Sequence, residues 1–209
     1  MNMGGKASSE LLLDLAASLD MAAVLLRRPL DESLARQICG LVGEGEEGDD
    51  GFSTLVSWCR DALSAEGRLA EAKVEFHRLF VGPHHVVCPP WGSVYTENGQ
   101  LFGSSSLRVA HLMESEGVEI PEGRTEPSDH FSYELAFLSK LIRDAASPGT
   151  DGQTSSVSFA HAVSFYETYM APWCGRFLDG VESNDTSGLY VAVARFIRDL
   201  LYEWQEMIA

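Results

Sequence analysis

Near the end of the chain Leu189, Val193, Phe196, Ile197, Leu200, Leu201 and Trp204 recur at spacings of three and four. Residues so spaced share one face of an α-helix, whereas a strand places alternate residues on one face. The same spacing returns in Leu69, Ala72, Phe76, Leu79 and Phe80, and again in Phe131, Leu135, Leu138 and Ile142. No segment alternates as a half-buried strand, and no internal repeat is visible. A chain patterned in this way has to bury its apolar residues helix against helix. The expectation is an all-α fold, a single globular domain of about nine helices.

Local punctuation places the helices. Periodicity and caps predict helices over 8–27, 31–43, 52–65, 67–80, 104–117, 127–145, 157–170 and 172–179, before the last stripe. Ser8 or Ser9 would cap the first and Asp31 the second, because short polar side chains accept from the free amides of a first turn. Pro29 ends the first helix; Gly82 and Pro83 end the fourth. Pro127 suits a first helical turn, where its missing N–H costs nothing, and this puts Asp129 and His130 in that turn. GEGEEGDDG (43–51) and residues 146–156 read as exposed linkers, and 118–128 as a hinge loop that would permit a segment-exchanged dimer as well as a monomer.

Charge narrows the partners. With 31 acidic and 15 basic residues the formal net charge is −16, the wrong sign for nucleic acid or an anionic membrane surface. A basic partner would be attracted at long range. The apolar stretch SSELLLDLAASLDMAAVLL is interrupted by Asp14 and Asp20. Arg27 and Arg28 follow it instead of preceding it, the reverse of a signal peptide. No membrane span is expected. The four cysteines, Cys39, Cys59, Cys88 and Cys174, are scattered, which predicts reduced thiols in a cytoplasmic protein.

Motifs for catalysis are thin. GGKAS (4–8) is a fragment of a phosphate loop without the rest of its pattern. His84, His85 and Cys88 could chelate, but a structural zinc site wants four ligands in paired spacing. A metal-dependent hydrolase using these three with His130 is the enzyme alternative, and a helical adaptor with an unrelated partner is the other. The expectation is no catalytic residues, no metal and no cofactor.

Two loops carry more information. In residues 84–99, HHVVCPPWGSVYTENG, adjacent prolines stiffen the chain beside Trp91 and Tyr95. In 118–130 a second proline-bearing loop leads to Asp129 and His130. Together they sketch an aromatic wall near a carboxylate, which suits an apolar peptide carrying an arginine. Trp173 is expected to be core packing.

These residues also carry a resemblance. EFHRLFVGP (75–83), PPWGSVY (89–95), EPSDHFSYEL (126–135) and FYETYMAPWCGRF (165–177) follow one another in a helical chain of about 200 residues. The pattern resembles the TorD/DmsD family of cytoplasmic redox-enzyme maturation chaperones. The resemblance implies a chaperone, not an enzyme. Its client would be the precursor of a molybdenum-cofactor oxidoreductase of the DMSO/TMAO reductase type. It would hold the twin-arginine signal peptide or the immature subunit until the cofactor is inserted, and so prevent premature export. Carried over by motif, the client-binding residues are Phe76, Leu79, Phe80, Pro90, Trp91, Ser93, Tyr95, Asp129 and His130. Tyr169 stands where the family often has His, and Phe76 where some relatives have Trp.

Overall fold

The computed structural model describes residues 4–43, 48–82, 86–97, 101–120, 126–147 and 156–209, with side chains from residue 9 onward. Its elements are α1 (Gly4–Arg27), α2 (Glu32–Cys39), α3 (Gly51–Ser64), α4 (Arg68–Phe76), α5 (Gly92–Thr96), α6 (Ser104–Ser115), α7 (Phe131–Ala146), α8 (Ser156–Phe165), α9 (Cys174–Asn184) and α10 (Leu189–Ile208). Nine of these exceed one turn or two, and α5 has five residues. Two π-helical turns, His77–Val81 and Tyr166–Met170, continue α4 and α8. Among the described residues there is no strand, only an isolated antiparallel bridge between Trp91 and His130. The all-α expectation holds, and no disulfide joins the four cysteines.

The helices divide into two compact units. The first comprises Met1–Ala23 and Pro90–Cys174; the second comprises Val24–Pro89 and Gly175–Met207.

In the first unit α7 is the central element. Its stripe Phe131, Leu135, Leu138 and Ile142 is fully buried, each such side chain contributing roughly 1.5–3 kcal/mol. Hydroxyls lock α7 to the start of α1: Ser139 Oγ donates to Ala16 O at 2.7 Å, and Ser9 Oγ to Ala146 O at 2.7 Å. This second bond explains a difference from expectation. Ser9 does not cap α1, which begins at Gly4; it ties the helix side-on to α7. Arg143 pairs with Asp20 at 2.5 Å.

In the second unit the α10 stripe packs as its spacing predicts, with Val193, Phe196, Ile197 and Trp204 buried. Asp31 caps α2 as expected, accepting from the Leu34 amide at 2.8 Å, but α2 stops at Cys39. At the mouth of α3 a glycine is required by contact: a Cβ on Gly51 would strike the α10 backbone at Arg195 and Phe196. The fourth predicted helix changes winding after Phe76. The Gly82 amide reaches back five residues to His77 O at 2.6 Å, and Gly82, at φ 56° and ψ 154°, takes a conformation open essentially only to glycine.

Candidate functional site

Three of the four motif blocks meet inside the first unit. The meeting is made by backbone. The Phe131 amide donates to Pro90 O at 2.7 Å and the Gly92 amide to Asp129 O at 2.9 Å. These two bonds join the proline loop to the segment that leads into α7. Pro90 has no N–H to offer, so its carbonyl makes the link.

Side chains then fix the joint. Asp129 Oδ2 accepts from the Ser93 amide at 2.6 Å and so satisfies a free amide at the start of α5. Asp129 therefore serves a helix other than its own, 36 residues away in sequence. Trp91 Nε1 donates to Glu126 Oε2 at 3.0 Å, and its ring meets His130 edge-on at 6.0 Å. Tyr95 stacks on Trp173 at 5.4 Å with the planes 24° apart. Trp173, 1% exposed, donates its indole N–H to Tyr169 O at 2.8 Å and packs edge-on against Phe131 at 5.1 Å. A Cβ on Gly92 would lie 2.8 Å from Trp173 Nε1, so the indole needs glycine there.

The start of α7 corrects the sequence reading. Pro127, Asp129 and His130 are not in its first turn. Residues 127–130 form a turn closed by the His130 amide on Pro127 O at 3.2 Å, and His130 is the N-cap. Its Nδ1 accepts from the Ser132 amide at 3.1 Å. The helix is displaced because the Phe131 amide is claimed by Pro90 O and the Gly92 amide by the Asp129 carbonyl. Both claims fix the approach to the helix, with His130 extended just before it, a pull that no local signal records.

The remaining block lies in the second unit. Phe76, Leu79 and Phe80 are 4%, 0% and 3% exposed. Phe80 meets Tyr190 edge-on at 5.2 Å and Phe177 at 6.1 Å, and Phe76 meets Phe80 at 5.4 Å. These three are part of the core of their unit; exposure in and beside this block belongs to Val81 (51%) and Val74 (70%). Glu75, unremarked in the sequence, anchors the block. It takes two bonds from Arg78 at 2.6 and 2.7 Å and two from Thr186, amide and hydroxyl, at 2.7 and 3.0 Å. Arg78 and these donors hold its carboxyl down at about 2.

Of the nine residues singled out from the sequence, Trp91 and Tyr95 are partly exposed, while Phe76, Leu79, Phe80, Pro90, Ser93, Asp129 and His130 are buried. Sequence reasoning missed Glu126 and Glu134. Glu126 is the residue that orients Trp91. Glu134 is 1% exposed, and its carboxyl is held well above the ordinary 4.5, first by burial and then by the charge of Asp129.

Of the residues weighed for catalysis, Cys88 and His130 are described. Burial pushes the Cys88 thiol up to about 11, which leaves it protonated and unreactive near neutral pH. Among the described residues no three His, Cys, Asp or Glu side chains are placed to hold a metal ion. His84 and His85 lie outside the described residues, as does most of GEGEEGDDG. Among the described residues no helix is long and apolar enough to cross a membrane.

Comparison with known proteins gives one family. A family model for the nitrate reductase delta subunit matches residues 46–179. The chain is 30% identical over 134 residues to the Tat proofreading chaperone DmsD of Salmonella paratyphi A, covering 64% of this chain and 60% of that one. It is 30% identical over 125 residues to the chaperone protein TorD of Vibrio cholerae serotype O1, covering 60% of this chain and 56% of the relative. The chain thus spans about 60% of the length of the curated relatives it matches. A crystal structure from Archaeoglobus fulgidus, assigned to redox enzyme maturation, superposes with a TM-score of 0.53 over 95% of this chain and 98% of its own, at 23% identity. That likeness concerns the fold.

Proposed function

This chain belongs to the family of the nitrate reductase delta subunit, and from that premise we propose that it is a cytoplasmic maturation chaperone for a molybdenum-cofactor oxidoreductase. Its client is the enzyme precursor, gripped by its twin-arginine signal peptide, by the immature subunit, or by both. It holds the client until the cofactor is in place and carries no catalytic activity of its own.

One observation carries this reading. Two motif blocks far apart in the sequence are hydrogen-bonded together in the first unit and a third packs on them through Trp173, and the loop so fixed carries two part-exposed aromatic rings, Trp91 and Tyr95. Stiff aromatics bury much area at low entropy cost, which suits the apolar part of a signal peptide. Pro90, Ser93 and His130 keep the loop in shape. Asp129 Oδ1, left over when Oδ2 caps α5, takes an arginine of the client. Phe76, Leu79 and Phe80 hold the surface of the second unit around Val74 and Val81. The net charge of −16 speeds encounter with the basic end of the peptide.

The test is calorimetric titration with synthetic twin-arginine signal peptides from molybdoenzymes at two salt concentrations. Binding at micromolar affinity or tighter is expected. It weakens with salt, in Trp91→Ala and in Asp129→Ala. If wild type binds none of the peptides, the signal-peptide grip is wrong and only recognition of the immature subunit is left; if Trp91→Ala binds as wild type does, the aromatic loop is not the grip.

A further inference from the structure

Four buried polar atoms in the first unit have no hydrogen-bond partner: Ser93 Oγ, Asp129 Oδ1 and both carboxyl oxygens of Glu134. Their residues are 0%, 0% and 1% exposed. Buried polar atoms are paired with few exceptions, so four together call for a cause.

The helix start places them side by side. His130 is the N-cap of α7, which makes Asp129 the residue before the cap and Glu134 the fourth within the helix. These two positions touch across the first turn, and in most helices they carry apolar side chains that pack together. Here both carry carboxyls. Ser93 joins them through its amide bond to Asp129 Oδ2.

Among the described residues no cation is bonded to this pair. The described Lys and Arg side chains of the unit are engaged elsewhere: Arg108 with Glu97, Lys140 with Asp144, Arg143 with Asp20. On the joined segments His130 Nδ1 is bonded to Ser132 and Glu126 to Trp91, and the Trp173 indole bears on Glu134. Two adjacent buried carboxylates cannot both stay ionised. Glu134 is accordingly the one kept neutral, by burial and by the charge of Asp129, with the Trp173 indole N–H working the other way.

The pair thus offers acceptors and no fixed donor except one hydroxyl. That is the complement of a guanidinium, which has five N–H groups, no acceptor and a charge that cannot be shed. A divalent metal would ask for more oxygens than these residues supply.

We propose that Glu134 is a second acceptor for the client's arginine: the Asp129–Glu134 pair holds one proton in the free chain, and the guanidinium displaces it on binding. This rests on the reading above that Asp129 takes an arginine. The exchange balances. The Glu134 O–H bond breaks, its proton passes to the buffer, and guanidinium N–H groups donate to the freed oxygens. The site carries one net negative charge before and after. The site is closed in the free chain, so admission of the arginine parts the two backbone bonds that join Pro90–Gly92 to Asp129–Phe131.

The experiment is titration with a synthetic twin-arginine signal peptide at neutral pH in two buffers of unequal ionisation enthalpy, repeated across pH. Wild type should release about one proton per peptide, and its affinity should rise up to about tenfold per pH unit below the pKa of the pair. Glu134→Gln has the same shape and no proton to give; it should bind more weakly, release no proton and lose the pH slope. A peptide with both arginines replaced by lysine should release less. Infrared spectroscopy of the free chain supplies an independent check, since a protonated carboxyl band should be present in wild type and absent in Glu134→Gln. Binding without proton release, or no such band in wild type, overturns this inference and leaves the chaperone reading standing. Failure of wild type to bind any signal peptide overturns this inference together with the signal-peptide grip on which it rests.

Discussion

Replacing Glu75 by Gln should destabilise the second unit strongly. The wild-type carboxylate is buried and takes four hydrogen bonds, two from Arg78 and two from Thr186. Its carboxyl lies at about 2 against an ordinary 4.5. At 1.36 kcal/mol per unit, that depression is worth about 3 kcal/mol of stability. The sign follows from the direction of the shift. The folded chain holds the proton less tightly than the unfolded one, so the stabilisation is complete above pH 4.5 and is lost as pH falls from there towards about 2. Glutamine keeps the size but loses the charge, and its NH₂ faces the Arg78 and Thr186 donors. Breaking a buried pair in this way costs about 3–5 kcal/mol, so the two routes to the magnitude agree. The assay is urea denaturation of wild type and Glu75→Gln at neutral pH and at steps below pH 4.5. The variant should lose about 3 kcal/mol at neutral pH, and the gap should narrow as the wild type is acidified. Equal stability at neutral pH, or a gap that stays constant into acid, would refute the argument that charge on Glu75 holds this unit.

Three further outcomes are expected. Gly92→Ala should push the Trp173 indole off the start of α5, costing about 1–3 kcal/mol; a thermal melt and the tryptophan near-ultraviolet dichroism read it. Tyr190→Phe should cost about 1 kcal/mol by removing the bond from its hydroxyl to Ala72 O, with the edge-on ring contact to Phe80 retained; chemical denaturation measures it. Glu134 acts oppositely to Glu75. Its folded carboxyl is raised, so its contribution is present below pH 4.5 and declines as pH rises above that value. Glu134→Gln should therefore flatten the loss of stability between pH 5 and the alkaline range, and a melting series across pH that matches wild type would contradict it.

The two buried glutamates show where sequence reading stops. Glu75 sits beside Phe76 in a block whose apolar spacing was legible, yet its partner Thr186 is 111 residues away. Glu134 lies five residues after Asp129, a spacing that would have announced a pair of carboxyls at a helix start. It was hidden because Pro127 drew the expected start of α7 too early. α5 was missed for a related reason: its five residues follow two prolines and a tryptophan, and its first amides are satisfied by Asp129 from another segment. The aromatic loop itself, and its company with Asp129 and His130, were legible from residue types alone. Their burial was not.

What the sequence determined by itself is what neighbours along one helix decide. Periods of three and four, the Asp31 cap, and the Gly82–Pro83 stop state that the chain is helical and roughly where each helix ends, because these interactions close within a turn. Only tertiary structure decided which side chains became core and which stayed outside. Phe76, Leu79 and Phe80 share a face on any helical reading, but only Tyr190 and Phe177 turn that face inward. The extended His130 before α7 is held because Pro90 and Gly92 bond to its two neighbours across the unit. Pairings of that kind are made between segments remote in sequence, and no local energy selects them in advance.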